Sequence, residues 1–335
     1  MERGGTVDAA TTTVAAYLER WVASIRSSST VSAKTWDRYE EIIRCHWIPA
    51  IGSEILGKLQ PLQIREAEAA ALQHGRRDGR GGLSARTVHH HQRVLHEALD
   101  QAVREDILTK NPVNAVDPPQ PAKPEMRVLD EDQLIRLFEL LEGTPLWMPV
   151  ALAGTTGMRR GEILALPWTE VRLTGKPPSL SVVRTLQQVD DEVKVRPPKT
   201  KRARRQIDLL PLTVDSLRQH YVRQAEHRLM MGAAYHDQGL VCPAPDGSFW
   251  RPDRLSDLFA STMKRLDLPR IRFHDLRHTH ATHLLREGVH PKIVSERLGH
   301  ASVAFTLDTY SHVLPGMQAE AALRLDQRLR RAGGR

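Results

Sequence analysis

Cysteine is scarce in this chain: Cys45 and Cys242 stand far apart and in no CxxC pairing. A disulfide framework and a cysteine zinc site are therefore not suggested, and a reducing compartment fits. Long apolar runs are missing too, since nowhere do about eighteen apolar residues follow one another. The amino terminus, MERGGTVDAATTT, lacks a long apolar core and a cleavage signal, so secretion and membrane spanning are not expected and a cytoplasmic protein is. Internal repeats and long low-complexity tracts are also absent.

What is present is globular and basic. A chain of 335 residues with 40% hydrophobic content exceeds the usual single domain, so two cores are expected. Lys plus Arg number 48 against 40 Asp plus Glu, a formal charge of +8, and the sequence pI is near 9.7. That balance favours a polyanionic partner over an acidic small molecule, although a basic solvated surface has the same signature.

The clearest seam is DPPQPAKP, Asp117–Pro124, where closely spaced prolines remove backbone donors and force extended conformations. Before it the pattern is helical. Val14, Tyr17, Leu18, Trp21, Val22 and Ile25 form one stripe after a Thr-rich start. A second helix is expected after Ser32, carrying Trp36, Tyr39, Ile42 and Ile43 and ending before IPAIG. A third spans roughly Leu62–Gln73, and a fourth begins at Ser84 and repeats Val88, Leu95, Ala98, Leu99 and Ala102. After the seam, Asp130 and Gln133 resemble a capping box. Further on, Ser179–Leu210 is a run of short β-rich pieces reading as one small antiparallel sheet with a basic connection, Lys199–Arg205. The expected fold is mainly α, with an all-helical domain at 11–116, a linker at 117–127, a mostly helical domain with a small sheet at 128–316, and a tail helix at 317–335.

Chemistry concentrates in HDLRHTHATHLLREG. His274 and Arg277 lie three apart, so a helix presents them on one face, with His278 and Ala281 continuing it. Local spacing leaves open whether they handle a phosphate or are surface polar residues. The i, i+4 spacing of His274 and His278 also invites zinc, but no HExxH carboxylate and no nearby cysteine completes a site, so no metal is expected.

The order of motifs is more informative than any one of them: TGMRRGEILAL, a basic hairpin with PKT, then HDLRH, LGH and DTYSH. From Val128 to about Pro315 this resembles the tyrosine recombinases, or phage integrases. Position by position, the resemblance makes Arg159 and Arg277 the catalytic arginines, Glu162 the acidic support, Lys199 the hairpin lysine, His274 the partner of Arg277, His300 the residue of LGH, and Tyr310 the nucleophile. Lys201 lies close enough to Lys199 that the lysine assignment could slip. The residue types suit phosphodiester chemistry, because planar guanidinium groups hold two oxygens of a phosphate whose charge grows during in-line attack. The resemblance implies that Tyr310 forms a 3′-phosphotyrosyl bond, that His274 takes or shuttles its proton, and that Lys199 protonates the leaving 5′ oxygen.

The same resemblance implies site-specific recombination that integrates or excises a mobile element, with no cofactor. The implied partners are double-stranded DNA recombination sites, a homotetramer in synapsis and an accessory directionality factor, in a bacterial or phage-encoded protein at the nucleoid. Two domains would close on the duplex as a clamp. Expected DNA contacts are Lys34 and Arg38 on the second helix, Arg86 and His90 on the fourth, and Lys201, Arg202, Arg204 and Arg205 beside the hairpin lysine. The run His89–His91 is expected to face DNA or solvent. No additional arm-binding domain is expected ahead of the first helix. A type IB topoisomerase, with a similar constellation, and a DNA-binding module that does not cut are the other readings.

Overall fold

A computed structural model of the chain describes residues 8–27, 32–121, 126–189, 192–198, 201–310 and 317–332. The chain divides into two compact units, Met1–Pro124 and Glu125–Arg335.

The first unit is helical. In α1, Val14–Ser27, the expected stripe of Val14, Tyr17, Leu18, Trp21 and Val22 is buried. Ser32 opens α2, Ala33–Ile42, by accepting the Thr35 N–H on its side-chain oxygen. A π-helical stretch, Ile43–Trp47, carries the backbone into α3, Ile48–Ile51. The expected stop before IPAIG is therefore corrected: a π turn is wider than an α turn and accommodates Pro49, which lacks the N–H a continuing α ladder needs. Helices α4, Pro61–His74, and α5, Ala85–Arg104, complete the unit, the second capped by Ser84. Leu18, Ile42, Ile43, Ile64, Leu95 and Leu99 are fully buried at its centre, each worth roughly 1.5–3 kcal/mol. Tyr17 and Trp47 bury without orphaned donors, the Tyr17 hydroxyl donating to Ala98 O (2.8 Å) and Trp47 Nε1 to His91 O (2.9 Å).

The histidine run is also corrected. His91 shares the inner face of α5 with Val88, Gln92 and Leu95, is 2% exposed, and its ring lies tilted 4.4 Å from that of His46. Helical spacing dictates this, since residues three and four apart share a face. Only His89 and His90 reach partial exposure.

The second unit is mostly helical around a small antiparallel sheet. Asp130 caps α6, Glu131–Leu141, in a true capping box with Gln133 (2.8 and 3.1 Å). Helix α7, Trp147–Thr156, has every residue buried, and the short α8, Arg160–Leu164, follows. Strands β1, Val171–Arg172, β2, Ser179–Val182, β3, Thr185–Val189, β4, Glu192–Arg196, and β5, Arg205–Asp208, come next. Among the described residues they form two sheets where one was expected: antiparallel β1-β2-β5, with Leu180 opposite Ile207, and a separate β3-β4 hairpin. Between β2 and β3, Arg184 donates from Nε to Ala165 O (2.6 Å), anchoring the chain where it leaves the first sheet. Helices α9, Pro211–Met231, α10, Pro252–Met263, α11, Asp275–Arg286, α12, Pro291–Leu298, α13, Val303–Tyr310, and α14, Met317–Ala332, complete the chain. Helix α7 packs against α6, α9 and α11, so the element carrying His278 and Arg277 rests on the best-buried helix of the unit. Among the described residues no helix is long and apolar enough to cross a membrane.

Candidate active site

The site is assembled at helix ends. Gly157 closes α7 in the left-handed conformation (φ 67°), and Gly299 closes α12 the same way (φ 68°). A Cβ on Gly157 would lie 2.5 Å from Leu298 Cδ2, so only glycine lets the ends of α7 and α12 approach this closely. Arg277, in the first turn of α11, donates from Nη1 to Gly157 O (2.7 Å) and from Nη2 to Leu298 O (2.8 Å). The guanidinium is thus fastened to the C-terminal carbonyls of two helices, whose partial negative charge suits a cation. It is 3% exposed. Burial first, and then Arg159, lower its pKa to about 9, so it is still cationic at neutral pH.

Arg159 precedes α8 in extended conformation, and Glu162 sits one turn on. Glu162 Oε2 accepts the Arg159 backbone N–H (2.9 Å), Oε1 accepts from Arg159 Nη1 (2.9 Å), and Arg159 Nη2 donates to Gly299 O (3.0 Å). Burial would raise the Glu162 carboxyl, but hydrogen bonding to and the charge of Arg205, then the charge of Arg159, outweigh it and hold the group below the usual carboxylate range. The Arg159 side chain remains 39% exposed, the more open of the two expected clamp arginines.

Tyr310 ends α13 and is fully buried with Ala281, Leu285, Val294 and Leu298. Its hydroxyl is 2.8 Å from His278 Nδ1. Burial pushes the phenol up to about 12, partly opposed by Arg277. His278 is half-buried and its pKa is lowered, chiefly by burial, so the imidazole beside the phenol is neutral and able to accept a proton. His274, the N-cap residue of α11, keeps one side open to solvent and packs edge-on to His278 at 5.0 Å. Desolvation, then His278 and Arg277, lower its pKa. His300 is 8% exposed, shares a hydrogen bond with Thr306 Oγ1 (2.8 Å), and lies nearly parallel to the Tyr310 ring at 6.5 Å. Burial, then Arg277 and Arg159, push it down to about 3.

The structure therefore brings Arg159, Glu162, His274, Arg277, His300 and Tyr310 into one cluster. Lys199 lies outside the described residues, and of Lys201 only the backbone is described. Arg205 is a correction. Expected on the DNA-facing surface, its side chain is 6% exposed and its fork meets both oxygens of Glu162, at 3.1 and 2.8 Å. Strand alternation is the reason: Arg205 shares its side of β5 with buried Ile207, not with exposed Gln206 and Asp208. Arg202 and Arg204 do stay exposed, Arg202 donating to Ala301 O. With Lys292 they line a groove of about 370 Å³ beside His300. In the first unit Lys34 and Arg86 are exposed, His90 is half-buried, and Arg38 is held by Glu41 at 2.6 Å.

His278 is the site residue that motif matching missed. Its signal was nevertheless available, because it closes HDLRH one turn after His274 on the same helical face. The other histidines of that segment have different duties. His280 is buried between Gly154 O and Arg297, and His283 bonds Leu129 O and Glu131.

Residues 127–316, more than half of the chain, match the phage integrase family, and residues 13–68 match the N-terminal SAM-like domain of phage integrases. A XerC-like tyrosine recombinase of Caldanaerobacter subterraneus subsp. tengcongensis is 31% identical over 258 residues, covering 72% of this chain and 66% of that protein. The ICEBs1 integrase of Bacillus subtilis is 29% identical over 254 residues, covering 74% of this chain and 67% of that protein. The chain spans about two thirds of the length of both. The Tn1549 transposon integrase, solved in complex with transposon right end DNA, shares the fold with a TM-score of 0.73 at 18% identity, covering 92% of this chain and 98% of that one. With the arginines, histidines and buried tyrosine of the site gathered inside the matched region, this chain belongs to the phage integrase family, the tyrosine-type site-specific recombinases that cleave and rejoin DNA.

Proposed function

We propose that this chain cleaves duplex DNA at a specific site through a 3′-phosphotyrosyl bond to Tyr310 and integrates or excises a mobile element. The observation that carries this reading is the contact of the Tyr310 hydroxyl with His278, next to Arg277 on α11, together with the fixing of Arg277 and Arg159 by the consecutive carbonyls Leu298 O and Gly299 O. Tyr310 Oη attacks the scissile phosphorus and the bond to the 5′ oxygen breaks. The phenolic proton passes to His278, beside which His274 stands at the solvent edge as a relay. Arg159 and Arg277 hold the non-bridging oxygens as charge develops, and His300 donates to one of them. Lys199 protonates the leaving 5′ oxygen. The ester conserves the energy of the broken bond, so religation is the same step in reverse and needs no ATP.

Lys34, Arg86, Arg202 and Arg204 bind backbone phosphates and supply affinity rather than sequence choice. Synapsis uses four protomers, with the exposed Leu325 and Leu329 of α14 docking on a neighbour, and direction is set by an accessory factor.

Covalent trapping on a duplex library tests this reading and maps the cleavage position at once. Wild-type protein should give a denaturation-resistant adduct at one sequence, whereas Tyr310→Phe should bind that sequence normally and give none. An adduct in Tyr310→Phe would remove the nucleophile assignment. Binding without any wild-type adduct would favour a non-cutting module, and site-independent relaxation of supercoils by a monomer would favour the topoisomerase reading. Because arginines neutralise the phosphate, cleavage should proceed in excess EDTA; loss on chelation, restored by Mg²⁺ or Zn²⁺, would contradict the mechanism.

A further inference from the structure

Resting on that reading, we infer that Arg205 is a positioning residue of the reaction, acting through Glu162 to keep the charge of Arg159 free for the scissile phosphate. Its hydrogen bonds to the described residues run inward. Nη1 and Nη2 donate to the two Glu162 oxygens (3.1 and 2.8 Å), Nε donates to Arg297 O in the last turn of α12 (2.6 Å), and Nη1 also meets Ala203 O (3.0 Å). A guanidinium held in this way cannot turn outward to a DNA phosphate without abandoning a buried carboxylate.

The arrangement closes into a ring: Arg205 holds Glu162, Glu162 holds Arg159, Arg159 reaches Gly299 O, and the helix ending at Gly299 returns to Arg205 through Arg297 O. The consequence is electrostatic as well as steric. Were Arg159 the only cation on Glu162, the pair would be neutral, and the more exposed of the two clamp arginines would offer the phosphate little net attraction. With Arg205 compensating the same carboxylate, Arg159 keeps an uncompensated positive charge beside that of Arg277. Charge repulsion between Arg205 and Arg159 across one carboxylate also discourages Arg159 from collapsing onto both Glu162 oxygens. The bidentate fork matters, because a lysine could reach one oxygen but not both together with Arg297 O.

Gly299 shows how closely this ring is packed. Its φ is 68°, and a Cβ there would lie 3.1 Å from Arg205 Nη1 and 3.3 Å from Arg202 O.

The test uses the full chain and a nicked duplex carrying the trapped cleavage position, made with either an ordinary phosphate or an uncharged methylphosphonate at the scissile position. Wild-type adduct formation on the ordinary duplex establishes the parent reading independently of what Arg205 does. Arg205→Ala should leave duplex affinity within about twofold and slow single-turnover cleavage of the ordinary substrate on the order of 10²-fold, the scale of one lost electrostatic contact. On the methylphosphonate, where there is no phosphate charge for Arg159 to meet, the deficit relative to wild type should shrink to less than about tenfold. Equal deficits on both substrates would mean that Arg205 supports the fold of the site in general, and would overturn the inference. So would a fall in affinity with an unchanged cleavage rate, which is the behaviour of a DNA contact. Should Arg205→Ala leave Glu162 too poorly compensated to fold, Arg205→Lys keeps the charge while losing the fork, and the same substrate-dependent deficit, smaller in size, is required of it.

Discussion

The two units spend their polar residues in opposite ways. In the helical unit basic side chains such as Lys34 and Arg86 point outward over a core of Leu18, Ile42, Ile43, Leu95 and Leu99, and the carboxyl that is buried there, Glu68, is pushed by burial toward its neutral form, up to about 7. The second unit turns charge inward: Glu162, Arg277 and Asp275 are each less than 5% exposed and Arg205 is nearly so. Surface charges attract a polyanion from any direction but fix nothing in place, whereas buried charges must be paired in one geometry or they destabilise the fold. The difference teaches that grip and chemistry are separable here, and each expected outcome below tests that separation.

The largest effect belongs to the buried set. Arg277→Ala should reduce single-turnover cleavage on the order of 10³-fold at saturating DNA, and replacing the bridging 5′ oxygen with sulfur should not rescue it, since the clamp is needed with either leaving atom. Lys199→Ala should instead be slow on ordinary DNA, by about 10²–10⁴-fold, and recover on the sulfur substrate, because a thiolate leaves without a proton. Rescue of Lys201→Ala in its place would move the acid two positions along the chain.

Next comes the core of the first unit. Leu95→Ala should cost about 2–5 kcal/mol there, seen as faster amide exchange confined to α1–α5, with the cleavage rate constant unchanged once DNA is saturating. A slower chemical step would show that the units are not separable.

Acid should strike the second unit harder. Burial depresses His274, His278, His280 and His300, the last two to about 3, whereas an unfolded imidazole titrates near 6.5. The unfolded chain therefore takes up protons first as pH falls, so the stabilisation is fully present above about 6.5 and drains away toward the folded values. His46, His90 and His91 give the first unit the same sign with fewer groups. Glu68, raised by burial to about 7, works the other way in the first unit, because the folded chain takes up its proton first as pH falls. The second unit should therefore lose protection first as the pH is lowered from about 6.5; a first unit that opens earlier would reverse the ordering.

The smallest effect is single-charge removal on the surface. Lys34→Ala or Arg86→Ala should each flatten the logarithmic salt dependence of binding by about one and leave the rate constant for cleavage alone.

Much of this was legible because it is local. The stripe Val14, Leu18, Trp21 and Val22 announces α1, the caps Ser32, Ser84 and Asp130 mark their helices, and the motif order gathers Arg159, Arg277, His300 and Tyr310. What escaped is pairing at a distance. Arg205 meets Glu162 across 43 residues and His278 meets Tyr310 across 32, separations over which neither periodicity nor capping carries information. Even so, Arg205 could have been read from alternation with Ile207, and His91 from its spacing to Val88 and Leu95. In both cases a run of like residues drew attention away from the side of the element on which each one stands.

The end of α12 has one more implication. Arg277 rests on Leu298 O and Arg159 on Gly299 O, which are consecutive carbonyls of one backbone, and consecutive Cα atoms are about 3.8 Å apart by covalent geometry. One peptide unit is thus a shared anchor for both arginines, to which Gly157 O adds a second hold on Arg277 and Glu162 a second hold on Arg159.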